Sequence, residues 1–203
     1  VANLSSNALV RTYPIAKTLS RYYNIEIIGV TFGNEIYNPY KNEFHFKTIE
    51  RRKTKNIILR YFHMFKDIIN SIEGDVIYAF KPKITSYGAG LLAKLIKRIP
   101  LILDIEDLET ANWTEKSLSE KLKLTFSRFD SENEFFNYLM EVFIPMADDK
   151  IVVSDYLKNK FGGKKIYHGV DVNFFNPSNY DKRKVKQELG LNQDYKYILF
   201  NLL

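Results

Sequence analysis

Short apolar runs alternate with stretches of helical spacing along nearly the whole chain, and no other feature narrows the fold as much. Residues 25–32 (IEIIGVTF), 75–80 (DVIYAF), 100–105 (PLILDI), 150–154 (KIVVS) and 195–200 (YKYILF) read as strands. Residues 44–49 (FHFKTI) alternate as a half-exposed strand does, and 164–168 (KKIYH) read as a short one. Between them, residues 7–22, 54–72, 84–99, 115–145, 155–161 and 181–190 carry helical spacing. Ile58, Tyr61, Phe62, Phe65, Ile69 and Ile72 share one face of the second of these. Pro14 predicts a kink or a late start in the first, and Asp130-Ser131 a break in the fourth. Strands alternating with helices imply βαβ units and a parallel sheet covered on both faces. Right-handed crossovers then make the α/β fold doubly wound.

In such sheets ligands bind beyond the carboxyl ends of the strands, so the strand-to-helix turns hold the candidate site. The loop ANLSSN (2–7) offers Asn3, Ser5, Ser6 and Asn7, whose small polar groups suit a phosphate or a sugar hydroxyl at a helix start. The alternative is an ordinary helix cap. FKPKITS (80–86) places Lys81 and Lys83 at a strand end, where two cations can hold a diphosphate or an anionic acceptor, or lie solvated. DIEDLE (104–109) sets four carboxylates at the end of the next strand. Acids there can orient hydroxyls, take a proton or bind a divalent cation; the alternative is charge compensation at a helix start. Glu106 and Asp107 are the candidate catalytic pair, while Asp104, one step earlier, reads as structural. Ser154, followed by a short helix, and the turn His168-Gly169-Val170-Asp171 complete the set.

Composition excludes several classes. The 203 residues hold one domain, or one domain plus a piece of another. There is no cysteine, so neither disulfide nor thiolate chemistry is available. Three scattered histidines do not make a transition-metal site. No apolar run approaches the ~18 residues of a membrane span. No nucleophile elbow, Walker loop or intact dinucleotide fingerprint occurs. Residues 1–103 hold sixteen Lys and Arg against seven Asp and Glu, and the remainder fourteen against seventeen. The basic first half suits anionic partners, an anionic membrane surface among them, or serves solubility; the apolar face of its most basic stretch, RRKTKNIILRYFHMFK (51–66), has core spacing, which favours docking on the sheet over lying on a membrane. Nucleic acid is disfavoured, because no RNA-binding motif is present and the aromatics follow core spacing.

The stretch YHGVDVNFFNP (167–177) resembles the N-G-V-D-x-x-x-F-x-P signature of family 4 glycosyltransferases of the GT-B fold. DVIYAFKPKITSYGAGLLAKLIKRIPLILDIEDLE (75–109) and ADDKIVVSDYLKN (147–159) are similar to that family's segments in the same order, and the likeness spans nearly the whole chain. Three positions depart from its pattern: His168 stands for Asn, Glu106-Asp107 for His-Asp, and Ser5-Ser6-Asn7 for a glycine-rich loop. The resemblance implies a Rossmann-like, acceptor-binding amino-terminal domain over residues 1–175. Residues 176–203 would be a linker helix and the first strand of a donor-binding domain, with the chain cut there. Because it opens at Val1 without Met, its true start is expected upstream. The implied activity is transfer of a sugar from a nucleotide diphosphate sugar to a glycan or lipid-linked acceptor, with retention. No cofactor or metal is implied beyond the nucleotide sugar co-substrate, and the location is cytoplasmic, peripheral at the inner membrane face. A GT-B sugar-nucleotide epimerase and a non-catalytic Rossmann-like module binding polyanions or RNA are the rival readings.

Overall fold

A computed structural model describes residues 3–6, 9–32, 35–37, 46–50, 57–110, 113, 116–127, 133–169, 172 and 176–198. The expected site residues Asn7, Val170 and Asp171 lie outside them, as does the basic run 51–56. The chain divides into two compact units, Val1–Gly169 and Val170–Leu203.

The first unit is mixed α/β. Its elements are α1 (Leu9–Leu19), β1 (Ile27–Thr31), β2 (Phe46–Glu50), α2 (Ile57–Ser71), β3 (Ile77–Phe80), α3 (Ala89–Lys97) and β4 (Leu101–Ile105). They continue with α4 (Leu118–Ser127), α5 (Glu134–Val142), β5 (Asp149–Val152), α6 (Asp155–Phe161) and β6 (Lys164–Lys165). Every strand pair described is parallel, as the alternation predicts. Among the described residues the strands form two sheets, ordered β1-β2 and β3-β4-β5-β6.

Period-2 patterning shows how the helices cover both faces. On β1, Ile27 packs with Leu9 and Ala16 of α1. Val30, three residues on and so on the opposite face, packs with Ile68 of α2 and Ala89 of α3. On β4, Leu101, Leu103 and Ile105 enter the main core with Tyr87, Leu91, Met140, Ile144 and Leu157. A Cβ on Gly90 would stand 2.9 Å from the Leu101 side chain, so this glycine lets α3 lie close on β4. Tyr61 and Ile69 of α2 are buried as expected, but Phe62 is exposed and turns to His63 instead.

Some boundaries differ from the sequence reading. Pro14 sits inside α1, which begins at Leu9. Residues 164–168 pair only over Lys164–Lys165, with one further bond from Ile166 N–H to Val152 O. This is an edge strand, and Tyr167 is already exposed. In the second unit, Asp181 caps α7 (Lys182–Glu188) by accepting from the N–H groups of Arg183 and Lys184. Residues 195–198, expected to form a strand, have no strand pairing and are exposed. Their polar groups serve the helix end instead: Lys186 Nζ donates to Tyr195 O, and Asn192 N–H donates to Tyr197 Oη. A strand exists only against a partner ladder, and the described residues of this unit contain none. No helix among the described residues is long and apolar enough to cross a membrane.

Candidate functional site

The register of the four-stranded sheet lines up the carboxyl ends of its strands. Phe80 of β3 is level with Asp104 of β4, Ile105 with Val152 of β5, and Val152 with Lys165 of β6. The residues that follow therefore emerge side by side: Lys81 from β3, Glu106 to Glu109 from β4, and His168 from beyond β6.

Lys81 leaves β3 with φ +65°, a left-handed conformation that costs a side-chain-bearing residue about 1 kcal/mol. Pro82 follows it and disfavours the right-handed helical alternative. The turn is held on every side. Lys81 N–H donates to Asp104 O at 2.9 Å, and Lys83 N–H to Lys81 O at 2.8 Å. Ser86 Oγ donates to Phe80 O and Lys81 O, both at 2.7 Å. A single π-helical turn, Ile84–Gly88, then carries the chain into α3. Such turns recur at functional sites.

This turn aims the Lys81 ammonium at the acidic end of β4. Its Nζ lies 2.6 Å from Asp107 Oδ2, 3.3 Å from Glu106 Oε2 and 3.5 Å from Glu109 Oε1. Lys83, nearly fully buried, meets Glu109 Oε2 at 3.0 Å. His168 Nε2 stands 3.3 Å from Glu106 Oε1. Burial pulls the Lys81 pKa down, but the hydrogen bond with Asp107 and the charges of Glu109 and Glu106 outweigh it, and the net shift is upward. Lys81 is thus a fixed cation at the point where three carboxylates converge. Glu106 is flanked by Lys81 on one oxygen and His168 on the other, and its side chain remains 19% exposed. A carboxylate so held can accept a hydrogen bond from, or take the proton of, an incoming hydroxyl.

The other expected residues sit in local structure. Ser154 Oγ caps α6 by accepting from Leu157 N–H at 3.2 Å. Asn3 Oδ1 accepts from Ser5 N–H, and Ser6 Oγ donates to Asn3 O, so the loop is turned partly by its own side chains. Leu4, fully buried, anchors it. Gly169 ends the first unit.

Three residues at this edge escaped the sequence reading. Glu109 binds both lysines; its place in the acidic run was the available signal. Arg11 and Tyr78 were hidden by regular patterning. Both engage Asp104, whose expected structural role is borne out: it is fully buried and accepts from Arg11 Nε at 3.0 and 3.1 Å through its two oxygens. Tyr78 Oη donates to Asp104 Oδ2, and Arg11 Nη2 donates to Ile166 O at 3.2 Å. Burial, followed by the Asp104 charge and hydrogen bond, pushes the Tyr78 phenol far above its ordinary range. The triad joins α1, β3, β4 and the segment leading to His168.

Compared with known proteins, the chain matches no family model and no curated protein.

Proposed function

We propose that residues 1–169 form the acceptor side of a glycosyltransferase of the GT-B type, acting on a nucleotide diphosphate sugar and a glycan or lipid-linked acceptor. The observation that carries this reading is the Glu106 carboxylate held between Lys81 and His168 at the carboxyl edge of a parallel sheet. In this reading Glu106 orients the acceptor hydroxyl and draws on its proton. Lys81 positions the carboxylate, and Asp107, 60% exposed on its side chain, contacts a further hydroxyl. Donor binding falls to a separate domain of the complete protein. The resemblance around residues 167–177 supports the same assignment.

The closure of Lys81 and Lys83 by three carboxylates weighs against polyanion binding at this edge. It also leaves a diphosphate to be held elsewhere. The test uses the full-length protein, a panel of UDP- and GDP-sugars, and a membrane extract as acceptor source. Acceptor-dependent release of nucleotide diphosphate, reduced ~100-fold or more by Glu106→Gln without loss of fold, is the expected result. Epimerised sugar formed without acceptor would replace this reading with an epimerase. No turnover with any donor would leave a binding module.

A further inference from the structure

The edge strand β6 holds only the beginning of the segment that carries His168. Its pairing with β5 covers Lys164 and Lys165 and ends with Ile166 N–H donating to Val152 O at 2.9 Å. In a parallel ladder of this register the next bond would run from Ser154 N–H to Ile166 O. At that point β5 has given way to α6, and Ser154 is the helix cap. Arg11 supplies the donor instead: its Nη2 gives Ile166 O a hydrogen bond at 3.2 Å. Ile166 is thus fixed at its N–H by β5 and at its carbonyl by a side chain from α1.

Arg11 suits this task because its own position is settled elsewhere. Its side chain is 2% exposed, and its Nε faces the two oxygens of Asp104 at 3.0 and 3.1 Å. Asp104 is fully buried on β4 and is held in turn by Tyr78 Oη of β3. A planar guanidinium fixed through Nε has its remaining N–H groups aimed in set directions, as an ammonium would not. Glu106 follows directly on β4. Both partners of the His168–Glu106 contact are therefore referred to the same strand, Glu106 through the chain and His168 through Arg11. The contact itself is too weak to order the segment. His168 Nε2 stands 3.3 Å from Glu106 Oε1, but the His168 side chain is 49% exposed, and pairs so open to water contribute little.

We infer that Arg11 is a positioning residue. Through Ile166 it stations the His168 imidazole against Glu106, and Asp104 and Tyr78 hold Arg11 in place. The placement of His168 is independent of the reaction, while its effect on turnover rests on the role proposed above for Glu106. With His168 on one oxygen and Lys81 on the other, Glu106 keeps one orientation toward an acceptor hydroxyl. Loss of the Arg11 bond frees His168, and Glu106 is then held from the Lys81 side only.

Histidine NMR on the full-length protein tests it. The ring signal of His168 is identified by its loss in His168→Gln, and its displacement by Glu106→Gln measures the contact. That displacement should survive in Tyr78→Phe, which leaves Arg11 and Asp104 paired. It should fall about threefold or more in the triple variant Arg11→Met, Asp104→Leu and Tyr78→Phe, which strands no charge but takes the side-chain donor from Ile166 O. The ring signal of His63, on α2, should stay in place throughout. In the turnover assay the triple variant should lower kcat with KM little changed, and adding His168→Gln should lower it no further. A His168 signal that ignores Glu106→Gln in the parent would overturn the inference, as would an undiminished displacement in the triple variant. Movement of the His63 signal together with that of His168 would overturn it too, by showing that the triad supports the whole unit rather than one segment. A displacement lost as expected, in a protein that transfers no sugar, would uphold the role of Arg11 and reject the glycosyltransferase reading. Sugar transfer by the parent with an undiminished displacement in the triple variant would do the reverse.

Discussion

Replacing Asp104 by Asn tests what holds the sheet to α1. The two charges are almost wholly out of water: the Arg11 side chain is 2% exposed and that of Asp104 0%. Asn is the same size and still accepts hydrogen bonds, so the substitution removes the charge with little change in shape. It leaves the Arg11 guanidinium buried without its counter-ion, which costs about 3–5 kcal/mol. Against a typical total of about 5–15 kcal/mol, this is a large fraction of the stability. At a urea dependence of about 2 kcal/mol per M, the midpoint falls by about 1.5–2.5 M. Trp113, buried in the first unit and the one tryptophan of the chain, reports the transition by fluorescence. The companion triple variant carries Arg11→Met, Asp104→Leu and Tyr78→Phe. It removes every polar member of the triad, and water can serve Ile166 O because Ile166 is 47% exposed. Its stability should return to within about 1 kcal/mol of the parent, since an apolar set of similar volume replaces a buried ion pair at little cost. A D104N midpoint unchanged within error would refute the reasoning. A triple variant as unstable as D104N would also refute it, by showing that packing and not the stranded charge was responsible.

Three further outcomes follow from single positions. Lys81→Gly should be more stable than Lys81→Ala by about 1 kcal/mol in urea unfolding, because both lose the ion pairs but only Gly relieves the left-handed backbone. Gly163→Ala should destabilise by more than about 1 kcal/mol, since φ is +92° and a Cβ would stand 2.5 Å from Lys150 O; calorimetry of the two proteins checks it. Asp148 has its pKa lowered by the Lys94 side chain and by the Leu101 N–H that it accepts. A carboxylate depressed on folding contributes stability that is present above its ordinary pKa of 3.8 and is lost as pH falls below it. The urea midpoints of the parent and Asp148→Asn should therefore differ near pH 6 and draw together as the pH is lowered below 3.8.

Periodicity alone determined the element types and the parallel class, because burial on one face or two imprints a repeat of 3.6 or 2 on any short window. It also put the acids of residues 104–109 and the lysines at 81 and 83 at strand ends. Boundaries slipped where pairing was the deciding term. Residues 195–198 have strand composition but no ladder to join, and KKIYH runs out of partner after Lys165. The strand order was not legible for the same reason. Which strands are neighbours is a matter of long-range contact, and local patterning is identical for any two strands covered by helices on both faces. The chemistry of the site was legible only as an inventory. That Lys81 would be turned by a left-handed backbone into three carboxylates, rather than outward to a phosphate, depended on the register of β3 against β4. That Asp104 would be structural while Glu106 stayed reachable depended on Arg11, 93 residues away, and on Tyr78, 26 residues away. A sequence records which charges exist. Only the folded chain decides which of them neutralise each other, because that depends on distances of a few ångströms between residues that no local pattern connects.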